Sequence, residues 1–161
     1  MNNLSFHITD IMANSIRAKA SEIGLFIEER DLRITIRIAD NGLGMDAGTI
    51  ARVTNPFYTT RTTRKVGLGI PFLIQNAEQT GGAVSITSQP GKGTVVTASF
   101  CSNHIDCPPW GDLPGTVAML ITGNPDINIC FEYQAARTVF SISTSEIKEI
   151  LDGIPLSYPK V

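Results

Sequence analysis

Leu32-Arg33-Ile34-Thr35-Ile36-Arg37-Ile38-Ala39-Asp40-Asn41-Gly42-Leu43-Gly44-Met45 is the stretch whose reading decides the fold. Leu32, Ile34, Ile36 and Ile38 alternate with Arg33, Thr35 and Arg37, the period of a half-buried strand. That strand carries one acid, Asp40, to its C-terminal end. Gly42 and Gly44 follow at alternate positions, where the backbone can take a positive φ or approach a ligand closely. A carboxylate on a rigid strand end beside a glycine loop suits a ligand that donates a hydrogen bond and lies against backbone. A purine nucleotide has those properties. Asp-Asn-Gly is also a common turn, so the neighbouring sequence has to decide.

Outward from this stretch, the N-terminal side reads as a helix from Ser5 to Ala20. Ile8, Ile11, Met12 and Ile16 fall on one side, and His7, Asp10, Asn14 and Arg17 line another at spacings of three and four. Such a polar stripe is usually a solvated face. Here it sets a carboxylate, a carboxamide and a guanidinium one turn apart, a set suited to Mg²⁺ and phosphate, with small or apolar residues on its flanks. Ile23, Leu25 and Ile27 then alternate, and Glu29-Arg30-Asp31 is expected to turn the chain into the strand ending at Asp40.

On the C-terminal side, Asp46 is a plausible N-cap for a short helix through Val53. Thr54 to Lys65 holds five threonines and three cations with almost no aliphatics, the composition of a mobile surface segment with anion-binding character. Gly67-Leu68-Gly69-Ile70-Pro71 opens a helix running to about Thr80. Pro71 is tolerated in its first turn, and the free backbone N–H groups of a helix start attract anions. Gly81-Gly82 ends that helix. Strands over Ala83 to Ser88 and Thr94 to Phe100 flank a Gln89-to-Gly93 turn. Helix, hairpin, short helix, loop, helix, hairpin makes a two-layer α/β sandwich with helices on one face of a sheet.

A proline-rich joint follows, around Cys107-Pro108-Pro109-Trp110. Beyond it Val117 to Ile121 and Ile127 to Tyr133 read as strands, and Phe140 with Ile142 suggests a third. Ser143 and Glu146 have capping-box spacing for a helix from about Thr144 to Leu151, stopped at Gly153. The division expected is residues 1–100 as one domain and 101–161 as a β-rich extension of unknown role, strands plus a short helix.

The 161 residues carry a net charge of −2, with 42% hydrophobic and 17% charged residues. That describes an ordinary soluble domain with no basic block for nucleic acid. No run of about 18 apolar residues exists, and Met1-Asn2-Asn3 does not begin a signal peptide. Cys101, Cys107 and Cys130 are odd in number and lack CxxC spacing, as expected of reduced thiols in a cytoplasmic protein. His104-x-Asp106-Cys107 has no established zinc spacing.

Taken in order, Asp10-xxx-Asn14, Asp40-x-Gly42-x-Gly44, the Thr/Arg segment, Gly67-x-Gly69 and Gly91-x-Gly93-Thr94 resemble the GHKL ATPase superfamily of gyrase B, the large heat-shock chaperone, histidine kinases and MutL. The resemblance spans residues 4–100 and is absent from 101–161. It implies an α+β fold with a mixed, mostly antiparallel sheet, and ATP and Mg²⁺ as cofactors. It marks Asn14 as the Mg²⁺ ligand, Asp40 as acceptor for the adenine amine with Thr94 in support, and Gly42, Gly44 and Met45 as the loop passing the base. Gly67, Leu68 and Gly69 would cradle phosphates. Phe57 to Lys65 resembles a short ATP lid that includes Thr60, with Arg61 or Lys65 reaching the terminal phosphate. Arg17 stands where histidine kinases often place a phosphate-contacting lysine.

Asp10 is a departure. Hydrolysing and serine-kinase branches of that superfamily usually carry glutamate there as general base, and aspartate is shorter by roughly 1.5 Å. His7, one turn earlier, would be a partner for Asp10 or a structural residue. The chain shows no phosphoacceptor helical hairpin, transducer domain or sensor element. The expectation is a stand-alone bacterial signal-transduction regulator of the anti-sigma-kinase type, an ATPase or a protein kinase acting on a protein partner. A non-catalytic ATP sensor and a subunit of a clamp-type assembly, with a nucleotide-dependent homodimer, are the alternatives. Neither nucleic acid nor membrane is an expected partner.

Overall fold

The structure, a computed structural model, describes residues 3–57 and 68–158. Helix α1 (Leu4–Arg17) leads into the hairpin β1 (Glu22–Arg30) and β2 (Arg33–Asp40), then α2 (Ala47–Val53) and α3 (Gly69–Gln79). The hairpin β3 (Ala83–Gln89) and β4 (Gly93–Cys101) follows, then α4 (Leu113–Gly123), β5 (Asn128–Ala135), β6 (Thr138–Ser143) and α5 (Thr144–Leu151). The strands form one open sheet in the order β3-β4-β2-β1-β5-β6. The β1–β5 pairing is parallel and the others are antiparallel, so the sheet is mixed and mostly antiparallel.

Alternation buries one sheet face. Ile23, Leu25 and Ile27 of β1, Ile34, Ile36 and Ile38 of β2, and Val96, Ala98 and Phe100 of β4 lie under Leu4, Ile8, Ile11 and Met12 of α1 and Ile70, Leu73 and Ala77 of α3 in a single core. The expected two-layer α+β sandwich is the observed one. Residues beyond 101 continue the same sheet, because β5 pairs with β1 from Glu22↔Asn128 to Glu28↔Gln134. The joint is tied back to the first helix, where Leu4 N donates to Pro109 O at 2.8 Å and the Ser5 hydroxyl to Trp110 O at 2.5 Å.

Three local expectations need correcting. Val117 to Ile121 belongs to a helix, α4, and not to a strand. Asp112 caps it by accepting from Gly115 N at 2.9 Å, Pro114 occupies its first turn, and Val117, Leu120 and Ile121 are buried at the 3–4 spacing of a helix face. Leu32 is not part of the strand. It shares a two-residue turn with Asp31, both at positive φ (52° and 59°), and is 64% exposed. The first helix stops at Arg17, after which Lys19 takes φ 61° and turns the chain toward β1. Elsewhere the caps act as read: Asp46 accepts from Thr49 N at 2.7 Å and Ser143 from Glu146 N at 3.2 Å. Among the described residues no helix is long and apolar enough to cross a membrane.

His7 is 2% exposed, and burial lowers its pKa from the ordinary 6.5. Above about 6.5 both folded and unfolded chains hold it neutral. Below that the unfolded chain takes up a proton that the folded chain resists, so stability falls as the pH drops toward the lowered folded value. The melting temperature should therefore fall between about pH 7.5 and 5.5, and by less in His7→Gln. Separately, Phe100 is fully buried, and Phe100→Ala should lower unfolding free energy in urea by about 3–5 kcal/mol.

Candidate functional site

Asp40 sits at the last position of β2, opposite Thr94 of β4 and Ile23 of β1. Its carboxylate gathers donors from three elements. Oδ2 accepts from the Ser15 hydroxyl of α1 at 2.6 Å, and Oδ1 from Gly42 N at 2.9 Å and Thr94 N at 3.3 Å. A carboxylate offers about four lone-pair sites. Three internal donors leave roughly one for something else.

The glycine loop is held from both sides. Asn41 Oδ1 accepts from Ser21 N and Glu22 N at 2.9 and 3.0 Å, and Leu43 N donates to Ala18 O at 2.8 Å. The β3–β4 turn docks against it, with Gly91 N donating to Leu43 O at 2.7 Å and Met45 N to the Ser88 hydroxyl at 2.7 Å. Two glycines make this fit possible. Gly44 has φ 71°, and a Cβ there would stand 1.9 Å from Gln89 O. Gly93 has φ 102°, and its Cβ would stand 1.9 Å from Asp40 O. The Thr94 hydroxyl is engaged with Ser88 Oγ at 2.8 Å, so Thr94 meets Asp40 through its backbone.

A cleft of about 450 Å³ opens between this corner and α1. Asp10, Asn14, Arg17, Asp40, Gly44, Met45, Gly69 and Thr94 line it, eight of the residues singled out from sequence, together with apolar Ile11, Val53, Ile70 and Val96. Gly42 is buried behind the wall, where a Cβ would stand 2.6 Å from Ala18 O. Leu68 is 61% exposed at the start of α3, and Phe57 is 92% exposed and forms no part of the wall. Thr60, Arg61, Lys65 and Gly67 lie outside the described residues.

At the far end, the Arg17 guanidinium donates to Asn14 Oδ1. Burial raises the pKa of Asp10, and the nearby Arg17 charge partly offsets the rise. The helix α3 begins beside this acid without a side-chain cap, and a Cβ at Gly69 would stand 3.2 Å from Asp10 Oδ2. His7 turns away from Asp10. Its Nε2 meets Asn76 Nδ2 of α3 at 2.8 Å in the core.

Sequence reasoning missed Ser15, Ser88 and the apolar wall. Ser15 directly follows Asn14 on a helix, so its position was the available signal. Its partner, 25 residues on, was not visible.

The donor set fits a magnesium nucleotide. One carboxylate with spare acceptor capacity lies at one end, and a carboxamide beside a carboxylate lies at the other. A helix start of low bulk adjoins them, with apolar walls for a flat base.

Residues 3–103 match the family described as histidine kinase-, DNA gyrase B-, and HSP90-like ATPase. The chain is similar to the sensor histidine kinase YvrG of Bacillus subtilis (strain 168), 28% identical over 99 residues. That match covers 58% of this chain and 17% of the relative. It is also similar to the sensor protein kinase FleS of Pseudomonas aeruginosa, 35% identical over 93 residues, covering 56% of this chain and 23% of that protein. The chain thus spans less than a quarter of either relative. Among solved structures it resembles the N-terminal domain of a DNA repair protein, with TM-score 0.61 and 18% identity, covering 88% of this chain and 52% of that one. That likeness is one of fold.

Gly93→Ala should disturb the Asp40 corner directly, since the new methyl would meet Asp40 O and the backbone is left-handed. Thermal unfolding should show a loss greater than the roughly 1 kcal/mol that the left-handed conformation alone costs. Gly91→Ala, where a Cβ meets nothing within 4 Å, should show only the conformational cost.

Proposed function

We propose a function from one premise: the chain belongs, over residues 3–103, to the histidine kinase-, DNA gyrase B-, and HSP90-like ATPase family. It binds ATP·Mg²⁺ in the cleft between α1 and the Asp40 corner, and either transfers the γ-phosphate to a partner protein or hydrolyses it slowly. The observation that carries this reading is the meeting of Asp10, Asn14, Asp40 and Gly69 around one cavity. The similarity to sensor histidine kinases supports phosphoryl transfer as the chemistry. Its reduced-thiol pattern supports a cytoplasmic setting, and its acceptor is a protein.

Each residue has a task. Asp40 accepts from the adenine amine with its remaining lone pair, while Ser15, Gly42 and Thr94 fix its orientation. Asn14 offers its carboxamide oxygen to the Mg²⁺, which screens phosphate charge when bound. The Arg17 guanidinium donates to that same oxygen, and from there it would be placed to meet a phosphate of the bound nucleotide. Gly69 and Ile70 present the uncapped start of α3 to the phosphates. Asp10, whose pKa is raised, is a stronger base than an ordinary carboxylate and would take the proton from the attacking hydroxyl or water.

A second reading, a non-catalytic ATP sensor, is favoured by the reach of Asp10, whose carboxylate lies against the backbone at Gly69. The two separate cleanly. Titration calorimetry with ATP and Mg²⁺ should show binding by the wild type and none by Asp40→Asn. Absence of wild-type binding at millimolar nucleotide would refute the proposal. Asp10→Asn should bind ATP normally and lose turnover, which in the wild type should rise with pH through the elevated Asp10 pKa. ATP binding by the wild type with no turnover above background would establish the sensor, and unchanged turnover in Asp10→Asn would remove Asp10 from the role of base. Asp10→Glu, which adds the missing reach, should raise turnover on the order of 10-fold or more.

A further inference from the structure

Helices α1 and α3 run antiparallel against each other, and two contacts fix their relation. Asp10 adjoins Gly69, and one turn earlier on α1 and two turns later on α3, His7 meets Asn76. Both members of the second pair are buried, at 2% and 7% exposure. The His7 ring also lies 6.0 Å from the Phe72 ring, and Phe72 N closes the first turn of α3 by donating to Leu68 O at 2.9 Å. No other side-chain hydrogen bond joins these helices among the described residues.

As a source of stability the pair is a poor choice. His7 Nδ1 is buried with no hydrogen-bond partner, and such a group costs free energy that two apolar side chains would not. What a directional polar pair supplies and an apolar contact does not is register. An apolar interface permits sliding between ridges, whereas a buried amide–imidazole bond is made at one offset only. At this interface the register decides where α3 begins relative to Asp10 and Asn14.

We propose that His7 and Asn76 are positioning residues that set the register of α3 on α1 and so place the phosphate-binding start of α3 against Asp10 and Asn14. The inference rests on reading the cleft as an ATP site. It acts at one end of that cleft only, because Asp40 is fixed by Ser15, Gly42 and Thr94, none of them on α3. Disrupting the pair should therefore weaken binding of the triphosphate and spare binding of the nucleoside.

The test compares the wild type with the double variant His7→Leu/Asn76→Leu, which removes both polar partners together and avoids stranding one. Its melting temperature should be no lower than that of the wild type. In calorimetry with Mg²⁺, adenosine affinity should stay within about twofold while ATP affinity falls about fivefold or more. His7→Gln, which keeps a polar partner for Asn76, should recover most of the preference for ATP. Equal changes in adenosine and ATP affinity, or no change in either, would overturn the proposal. Hydrogen exchange without nucleotide gives an independent readout, with faster exchange expected over residues 68–76 of the double variant and none of the increase in β1 or β2. Unchanged exchange in α3 overturns the pairing whether or not nucleotide binds. Failure of the wild type to bind ATP refutes the cleft reading alone.

Discussion

The carboxylate of Asp40 is the interaction on which the arrangement depends. It is reached by a hydroxyl from α1, an amide from the glycine loop and an amide from β4. A half-buried carboxylate costs free energy unless its lone pairs are filled, so each donor constrains the element that carries it. The end of the sheet, the first helix and the loop are thereby held at fixed separations. The cleft is the space left between them, and its shape follows from satisfying one acid.

The same corner shows why two glycine motifs read separately are one physical unit. A side chain at Gly44 would collide with the β3–β4 turn, and one at Gly93 would collide with the end of β2. Each glycine makes room for the other's loop, and the Gly91 N to Leu43 O bond closes the seam. The spacing between Asp40 and Gly93 along the chain therefore reflects a contact, with the hairpin returning its turn to the loop that follows β2.

Much of this was legible because it is local. The 3–4 spacing of Asp10, Asn14 and Arg17 set one face of a helix, and the cleft lies on that face. The alternation of Ile34, Ile36 and Ile38 told which side of β2 is buried, and Ser143 with Glu146 marked the start of α5. What failed was ambiguous locally or made by distant residues. Val117 to Ile121 is an apolar run short enough for either a strand or a helix. The signal that separates them, Asp112 with Pro114 ahead of the run, lay in a segment read as a joint. Leu32 continued an alternation that tight hairpin closure broke, because only Asp31 and Leu32 were left to make the turn. That β5 would lie parallel beside β1, and His7 beside Asn76, are facts of chain return across about 100 and 69 residues, which no window can report.

The charges at the far end of the cleft are arranged differently from those at Asp40. There the acid is satisfied by neutral donors of its own chain, so its orientation is set before any ligand arrives. Asp10 instead is partly desolvated with Arg17 as its nearest compensation, and Arg17 is spent on Asn14. This leaves one end of the cavity rigid and settled and the other under electrostatic tension. If the cleft takes the proposed magnesium nucleotide, a divalent cation held at Asn14 would relieve that tension by bringing the counter-charge that Asp10 lacks. Helix α1 thus serves both parts of the cleft: Ser15 orients Asp40, and Asp10, Asn14 and Arg17 carry the charges that a ligand would have to balance.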